Sequence, residues 1–188
     1  AKADAEAVLS AIGAPEKLMV LRGAKAWWHP GRSGKLSLGP KNIMCAFGEL
    51  HPKVVEAFNI KGPAVAFAIH LENPPLPKKK TTTRAALKTS DLQTVDRDFA
   101  FVVDNSVEAL TILNAAKGAD KSLIFDAYVF DVFDGVKAEG QMGPEKKSVA
   151  FTVKLQPKET TLTDKEIEAV SEKIIEKVTK ATGGALRG

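Results

Sequence analysis

The segment Trp27–Gly34, WWHPGRSG, concentrates side chains that could do chemistry. Its glycines flank Arg32 and Ser33, which could hold a phosphate, and His29 beside them could move a proton. A phosphate-binding P-loop, however, needs a longer glycine spacing that ends in Lys-Ser/Thr, followed by a helix whose N-terminus meets the phosphate. A strand, KLSLG, follows Gly34 instead. The segment is therefore interpreted as a turn or hairpin entry with an aromatic anchor.

The other groups suited to metal binding or nucleophilic catalysis are scattered along the chain. His29, His51 and His70 are too far apart in sequence for the spacing of a zinc site, and no triad pattern accompanies them. Cys45 is the single cysteine, so the sequence has neither an internal disulfide nor a multi-cysteine zinc site. His51 precedes Pro52 and is expected to cap or pack at a helix start. The sequence predicts no catalytic residue and no metal ligand.

The overall charge permits a nucleic-acid partner without requiring one. The 188 residues include 27 lysines and arginines against 23 aspartates and glutamates, a net charge of +4. Each phosphate neutralised by a basic side chain would add salt dependence to binding, whereas lysine runs are more often a solvated face. The basic side chains that could form such a surface are Lys78, Lys79, Lys80, Arg84, Lys146, Lys147, Lys154 and Arg187.

No targeting or membrane segment is evident. No apolar run approaches the roughly 18 residues of a membrane span, and the polar start AKADAEAVLS does not resemble a signal peptide. A cytoplasmic location and no membrane partner are predicted. The chain begins without Met, inside what looks like a helix, which suggests a piece excised from a longer polypeptide.

The first half of the chain predicts a small α/β segment. Ala5–Ile12 has helical spacing, and the turn Gly39–Asn42 joins two strand-like runs into a hairpin. One short helix and a few strands make a small core, so this half is expected to need neighbours. The following run NPPLPKKKTTTRAALKTSDLQ, rich in proline, lysine and threonine, is interpreted as a linker.

The second half predicts a ferredoxin-like fold. Asn105 and Glu108 are expected to cap a helix that ends at Gly118. In LTDKEI, Thr163 and Glu166 form the capping box of a second helix, which Gly183 ends. Strands are expected at 97–103, 123–133, 146–156 and in the final Ala185–Arg187. The order β-α-β-β-α-β is that of the split βαβ fold.

Ferredoxin-like folds serve many functions, so the function has to be inferred from the residues that the fold exposes. An amino-acid-binding regulatory domain remains open, because such a domain leaves a weak signal in sequence. An RNA-recognition motif would place aromatic side chains on the exposed face of the third strand. That face carries Ser148, Ala150, Thr152 and Lys154, so any stacking surface must come from the second strand. The aromatic residues there are Phe125, Tyr128, Phe130 and Phe133.

Several motifs occur together in one order along the chain. They are WWHPGRSGKLSLG, FGELHPKV, RDFAFVVD, FDVFDG, KKSVAFTVKLQP, TLTDKEI and the final GALR. In this order they resemble the C-terminal end of bacterial phenylalanyl-tRNA synthetase beta subunits, and the resemblance covers essentially the whole chain.

The resemblance implies an α+β chain of two parts. Residues 1–72 would end a non-catalytic class II synthetase-like domain, an antiparallel α/β segment that packs against the alpha subunit. Residues 73–90 would be the linker, and 91–188 a ferredoxin-fold anticodon-binding domain. The parent enzyme would be an α2β2 ligase that joins phenylalanine to its tRNA with ATP and magnesium. Its active site would lie on the alpha subunit, so this fragment would be non-catalytic and hold no cofactor.

Two hypotheses from different classes follow. In the first, residues 91–188 bind the anticodon stem-loop of phenylalanine tRNA. In the second, the ferredoxin-like part is a regulatory module that binds a small ligand. The RNA contacts expected under the first hypothesis are stacking on Phe125 and Tyr128, and phosphate or base contacts from Arg97, Lys146, Lys147, Lys154 and Arg187.

Overall fold

The structure is a computed structural model that describes residues 1–15, 17–76 and 90–187. The chain divides into two compact units, residues 1–84 and 85–188. Most of the predicted linker lies outside the described residues, and so do Lys78, Lys79, Lys80 and Arg84 of the predicted basic surface.

The first unit is a four-stranded antiparallel sheet with one helix packed against it. Its elements are α1 (Lys2–Ala11), β1 (Met19–Arg22), β2 (Trp28–Leu38), β3 (Asn42–Leu50), α2 (Pro52–Ala57) and β4 (Val65–Ile69), and the strand order is β1-β2-β3-β4. The predicted helix and hairpin are confirmed. Helix α1 buries Ala5 and Leu9 against Leu36 and Met44 of the sheet. His51 caps α2 by accepting a hydrogen bond from the backbone N–H of Lys53.

The interpretation of WWHPGRSG as a turn is wrong, because all but its first residue lies in β2. Pairing of β2 with β3 is interrupted between Trp28 and Ser33, where one residue of β3, Glu49, faces four of β2. Pro30 lies in this bulge, where its missing N–H costs no ladder hydrogen bond. Gly48 beside the bulge has φ +141°, and a Cβ there would lie 2.4 Å from the carbonyl oxygen of Arg32.

The second unit has the predicted ferredoxin-like order, with one additional helix. Its elements are β5 (Val95–Asp104), α3 (Ala109–Lys117), β6 (Ile124–Phe133), α4 (Val136–Met142), β7 (Lys146–Leu155), α5 (Asp164–Thr182) and β8 (Ala185–Leu186). The strand order is β6-β7-β5-β8, and all pairs are antiparallel. The α+β fold class is confirmed.

The core of the second unit lies between one face of its sheet and the helices α3 and α5. The ring of Phe151 on β7 stacks with that of Phe99 on β5 at a centroid distance of 5.6 Å, and the Phe101 ring of β5 lies tilted against it at 6.0 Å. Ile112 of α3 and Ile174 of α5 are fully buried against them. This leaves the opposite side of the sheet, called here the outer face, to carry the alternate residues of each strand.

The predicted capping box of α5 is present. The side-chain hydroxyl of Thr163 accepts from the N–H of Glu166, and the Glu166 carboxylate accepts from the N–H of Thr163 at 2.8 Å. The N–H of Thr163 and its hydroxyl, which both donate to the Glu166 carboxylate, hold the pKa of Glu166 below its usual value. Gly183 ends the helix with φ +67°.

Two local predictions are wrong. Helix α3 begins at Ala109 with Glu108 as N-cap and no side-chain capping hydrogen bond, so Asn105 does not cap it. Helix α4 was not expected, because it is only seven residues long and lies between Gly135 and Gly143, which signal loops in sequence. Both glycines have positive φ, +80° and +94°, which explains their presence at its two ends.

The helices of the described residues were also compared with the requirements of a membrane span. None of them is both long enough and apolar enough to cross a bilayer.

Candidate nucleic-acid interface

The outer face of the second sheet carries an exposed aromatic residue midway along its edge strand β6. Tyr128 on β6 pairs with Thr152 on β7, which pairs with Asp98 on β5, so the three side chains form one row across the face. The Thr152 hydroxyl donates to the Asp98 carboxylate at 2.6 Å. Thr152 is buried between its neighbours, whereas the Tyr128 ring is 42% exposed.

Two β-bulges place further aromatic rings along the edge strand β6. Ile124 and Asp126 pair with consecutive residues of β7, so Phe125 between them has no pairing partner and forms a bulge. Phe130 forms the second bulge in the same way, between Val129 and Asp131. Phe125 is 72% exposed and Phe130 is 55% exposed. Edge strand β6 therefore presents three rings to solvent within six residues, and none of them belongs to the core.

A charged row lies next to Tyr128. Lys154 on β7 stands between Asp96 on β5 and Asp126 on β6. Its ammonium lies 3.8 Å from the Asp96 carboxylate and 5.7 Å from the centroid of the Tyr128 ring. A hydrogen bond from Lys117 and, to a smaller extent, the charge of Lys154 lower the pKa of Asp126. Both aspartates thus compete with any phosphate for Lys154.

The exposed middle of the outer face is acidic. Asp96, Asp98 and Asp126 are joined there by Asp131, which faces Ala150. Two basic residues accompany these four carboxylates: Lys154, and Arg187, whose backbone N–H donates to the Ala100 carbonyl at the far end of the Asp131 row. A phosphate group would be repelled by such a surface. Bases would not be, because carboxylates accept hydrogen bonds from base amino groups such as cytosine N4 and an aromatic ring stacks on any base.

The other predicted basic residues lie at the opposite end of β7. Lys146 makes an ion pair with Asp104 at 2.5 Å, and Lys147 donates to the backbone carbonyl of Asn105 at 2.9 Å. Arg187 lies 6.0 Å from the centroid of the Phe133 ring. A strand advances about 3.3 Å per residue, so Lys146 and Lys154 are separated by roughly 26 Å. The structure therefore divides the predicted contacts on the outer face into one cluster of Phe125, Tyr128 and Lys154 and another of Lys146 and Arg187. Lys147 pairs with the buried Val103 and so lies on the helix-covered side of the sheet.

Arg97 belongs to neither cluster. It pairs with Val153, whose side chain is buried in the core, so Arg97 projects from the helix-covered side of the sheet, at its exposed margin. It makes no ion pair with any residue that the structure describes. An RNA bound against the outer face alone would therefore not contact Arg97.

In the first unit, the polar groups of WWHPGRSG bind one another. The Arg32 guanidinium holds Glu49 through two hydrogen bonds, of 2.5 and 2.9 Å, and this pairing lowers the pKa of Glu49. Ser33 donates to the carbonyl of His29 at 2.6 Å, and His29 accepts from the N–H of Gly31 at 3.1 Å. Arg32 thus acts as a structural contact, and no phosphate cradle forms.

Across residues 1–15, 17–76 and 90–187, no three histidine, cysteine, aspartate or glutamate side chains are grouped closely enough to hold a metal ion.

Comparison with known proteins assigns both units. Residues 90–187 match the model of the ferredoxin-fold anticodon binding domain, and residues 1–71 match that of the phenylalanyl tRNA synthetase beta chain CLM domain. The chain belongs to the ferredoxin-fold anticodon-binding domain family. Its second unit is this anticodon-binding domain, and the predicted family resemblance is confirmed.

Relatives match over the whole chain. The phenylalanine–tRNA ligase beta subunit of Cereibacter sphaeroides is 65% identical over 188 residues, and that of Ruegeria pomeroyi is 63% identical over 188. The beta subunit of Mesorhizobium japonicum is 50% identical over 190 residues. Each alignment covers 100% of this chain and 23% of the relative, so the chain spans about a quarter of the length of these proteins.

The net charge of the anticodon-binding domain is opposite in sign to that of the whole chain. Residues 90–187 contain 13 lysines and arginines but 17 aspartates and glutamates, so their net charge is −4 and residues 1–89 carry +8. The basic isoelectric point of the chain, near 9.1, is therefore no argument for phosphate binding by this domain. Counting charges separately for each half would have found this in the sequence.

Sequence reasoning also missed two features of the outer face. The prediction selected Phe125 and Tyr128 for stacking but left out Phe130, whose exposure depends on the second bulge of β6. It did not identify Asp98 and Asp131 as neighbours of the rings, because only the strand register brings them together. The repeated Phe-Asp pairs in IFDAYVFDVF were the available signal.

Proposed function

We propose that this chain is part of the beta subunit of a phenylalanine–tRNA ligase, and that its anticodon-binding domain binds the anticodon stem-loop of phenylalanine tRNA. One observation carries the proposal. The domain match over residues 90–187 is accompanied by relatives that align with the entire chain at up to 65% identity and are named as beta subunits of this ligase.

The outer face is the surface that we assign to the anticodon bases. Single-stranded bases are recognised by stacking on aromatic side chains and by hydrogen bonds to their edges. Tyr128, Phe125 and Phe130 are exposed for stacking, and Asp98 and Asp131 are acceptors for base amino groups. Because this face is acidic, the phosphates would lie at its margins rather than across its middle.

The lysines and arginines at the margins of the outer face would contact the phosphate backbone of the anticodon stem. Lys146 and Lys147 lie at one end of the sheet, and Lys146 is about 26 Å from Lys154. Arg187 extends from beside Ala100 to the Phe133 ring, towards the same end. Exposed ion pairs such as Lys146–Asp104 contribute little to stability, so Lys146 can exchange its carboxylate partner for a phosphate at small cost. Few such contacts predict a shallow dependence of affinity on salt.

The remaining activities belong to the parent enzyme. We propose that ATP- and magnesium-dependent attachment of phenylalanine takes place on other parts of an α2β2 assembly in the cytoplasm. The residues described here would contribute RNA binding, and the first unit would contribute to assembly with the alpha subunit.

The proposal is tested by measuring the affinity of this chain for phenylalanine-tRNA transcripts across a salt series. The control is a transcript with a scrambled anticodon and an unchanged stem. We expect the scrambled transcript to bind at least tenfold more weakly, with a shallow salt slope for both. Equal affinities at every salt concentration would contradict anticodon recognition.

The alternative function, a regulatory module that binds a small ligand through the ferredoxin-like part, is not favoured. The family that matches this part is an anticodon-binding one. The alternative predicts thermal stabilisation that grows with the concentration of an amino acid.

A further inference from the structure

A cavity in the first unit remains unexplained by RNA binding. It has a volume of about 220 Å³ and lies on the side of the first sheet opposite α1. Ala46 on β3 pairs with Lys35 on β2 and with Ala68 on β4, and these three residues line the cavity. Two neighbouring alanines on adjacent strands leave a depression in the sheet where larger side chains would fill the space.

Both tryptophans of WWHPGRSG line this depression. Trp28 pairs with Leu50 and so lies on the same side of the sheet as Ala46; it is only 5% exposed. Trp27 is about half exposed, and the Lys25 ammonium lies 5.1 Å from the centroid of its ring. The segment that looked like an active site in sequence thus forms the aromatic wall of a cavity.

The ionisable side chains that line the cavity can carry only a positive charge. Lys25, Lys35 and His70 are among its nine lining residues, and none of the nine is acidic. The backbone N–H of His70 donates to the Met44 carbonyl at 2.9 Å, which fixes this residue at the end of β4. An apolar floor, aromatic walls and basic groups at the rim complement a ligand with an apolar body and one negative charge.

The volume limits the size of such a ligand. An apolar protein cavity of about 150 Å³ admits benzene, so a cavity of about 220 Å³ accommodates a single aromatic ring with a short acidic substituent.

We propose that this cavity binds a small aromatic carboxylate, with the ring against Trp27, Trp28 and the two alanines and the carboxylate at Lys35, Lys25 and His70. An amino acid is a poorer ligand, since its ammonium group would face the same basic residues. The site is separate from RNA recognition and would give the first unit a ligand of its own.

Intrinsic fluorescence tests the proposal on the intact chain, because the chain has two tryptophans and both line the cavity. The probe is phenylacetate, compared with its uncharged isostere phenylacetamide and with L-phenylalanine. We expect phenylacetate to cause a saturable change in tryptophan emission. Phenylacetamide and L-phenylalanine are expected to require at least fivefold higher concentrations for half the effect.

Two substitutions locate the ligand. Ala68→Leu fills the floor of the cavity and is expected to abolish the phenylacetate response, with circular dichroism establishing that the chain is still folded. Lys35→Gln is expected to weaken phenylacetate binding threefold to tenfold. The matched control is Lys41→Gln, an exposed lysine in the turn between β2 and β3 that does not line the cavity.

Three results would overturn the proposal. They are the absence of a saturable response to phenylacetate in the folded chain, an equal affinity for phenylacetate and phenylacetamide, and an unchanged affinity in the Lys35→Gln variant. If Ala68→Leu unfolds the chain, the comparison of Lys35→Gln with Lys41→Gln still decides the question.

Discussion

At the scale of single residues, Tyr128 is the ring best placed to stack on a base. It lies on the edge strand, at one end of the row that runs through Thr152 to Asp98. The Lys154 ammonium is 5.7 Å from the centroid of its ring, so a stacked base would have a hydrogen-bonding group beside it on the β7 side. Phe125 and Phe130 lie on bulges of the edge strand, where each is held by fewer neighbours.

Replacing Tyr128 is therefore expected to weaken RNA binding. Stacking of one base on an aromatic side chain contributes about 1–3 kcal/mol, so Tyr128→Ala should raise the dissociation constant for phenylalanine tRNA roughly fivefold or more. Tyr128→Phe keeps the ring and should stay close to the parent chain. Equal losses in both variants would point to the hydroxyl, and no loss in Tyr128→Ala would exclude stacking at this position.

Asp120 stabilises the second unit through hydrogen bonds and an ion pair that favour its charged form. Its carboxylate accepts from Ser122 and from the N–H of Leu123, and the Lys173 ammonium of α5 lies 3.2 Å away. These contacts, with Ser122 contributing most, lower the pKa of Asp120 to about 2. A carboxyl with a depressed pKa contributes stability above its unfolded-state pKa near 4, and this contribution disappears as the pH falls towards 2.

We therefore expect Asp120→Asn to lower the free energy of unfolding at pH 7 by about 2 kcal/mol, from the size of the pKa shift. The difference between variant and parent should shrink as the pH falls from 4 towards 2. Urea unfolding at pH 7, 4 and 3 measures it, with Asp134→Asn as the control at an exposed aspartate. A difference that is constant with pH would contradict this account.

At the scale of elements, helix α5 depends on its capping box. Thr163→Ala removes the acceptor for the N–H of Glu166, and loss of such a cap costs about 1 kcal/mol. Urea unfolding should show this loss, while Thr163→Ser, which keeps a hydroxyl, should unfold close to the parent chain. A Thr163→Ala variant as stable as the parent would show that packing of α5 alone determines its start.

Elements with strong local signals could be predicted from the sequence, and those decided by distant contacts could not. The alternation in β7 and the capping box of α5 depend on neighbouring residues, so both were predicted. The bulge in β2 depends on Gly48, fifteen residues after Ser33 and on another strand, which permits the close approach of the two backbones. The exposure of Phe130 depends likewise on the register of β6 against β7.

At the scale of the whole chain, exposed apolar side chains surround α2 in the first unit. Phe58 is 75% exposed, and Ile60 and Val65 are also exposed. Apolar side chains exposed close together in sequence favour an interaction site or association. The chain spans about a quarter of the length of its relatives, so residues that would cover this surface can lie elsewhere in the parent protein.

We expect this chain to self-associate reversibly as its concentration rises, because the apolar surface around α2 would be partly removed from water. Sedimentation velocity over a concentration series measures the effect. Phe58→Ser should weaken association, whereas Phe125→Ser, at an exposed phenylalanine of the other unit, should leave it unchanged. A chain that is monomeric at all concentrations would contradict this prediction.

The central claim, that the outer face of the anticodon-binding domain receives the anticodon, is tested most directly by photo-crosslinking. Phenylalanine tRNA carrying a photoreactive base in its anticodon is bound to the chain and irradiated, and the linked peptide is identified by mass spectrometry. The account predicts crosslinks in β6, at Phe125, Tyr128 or Phe130. Crosslinks confined to α3 and α5, on the other side of the sheet, would contradict it.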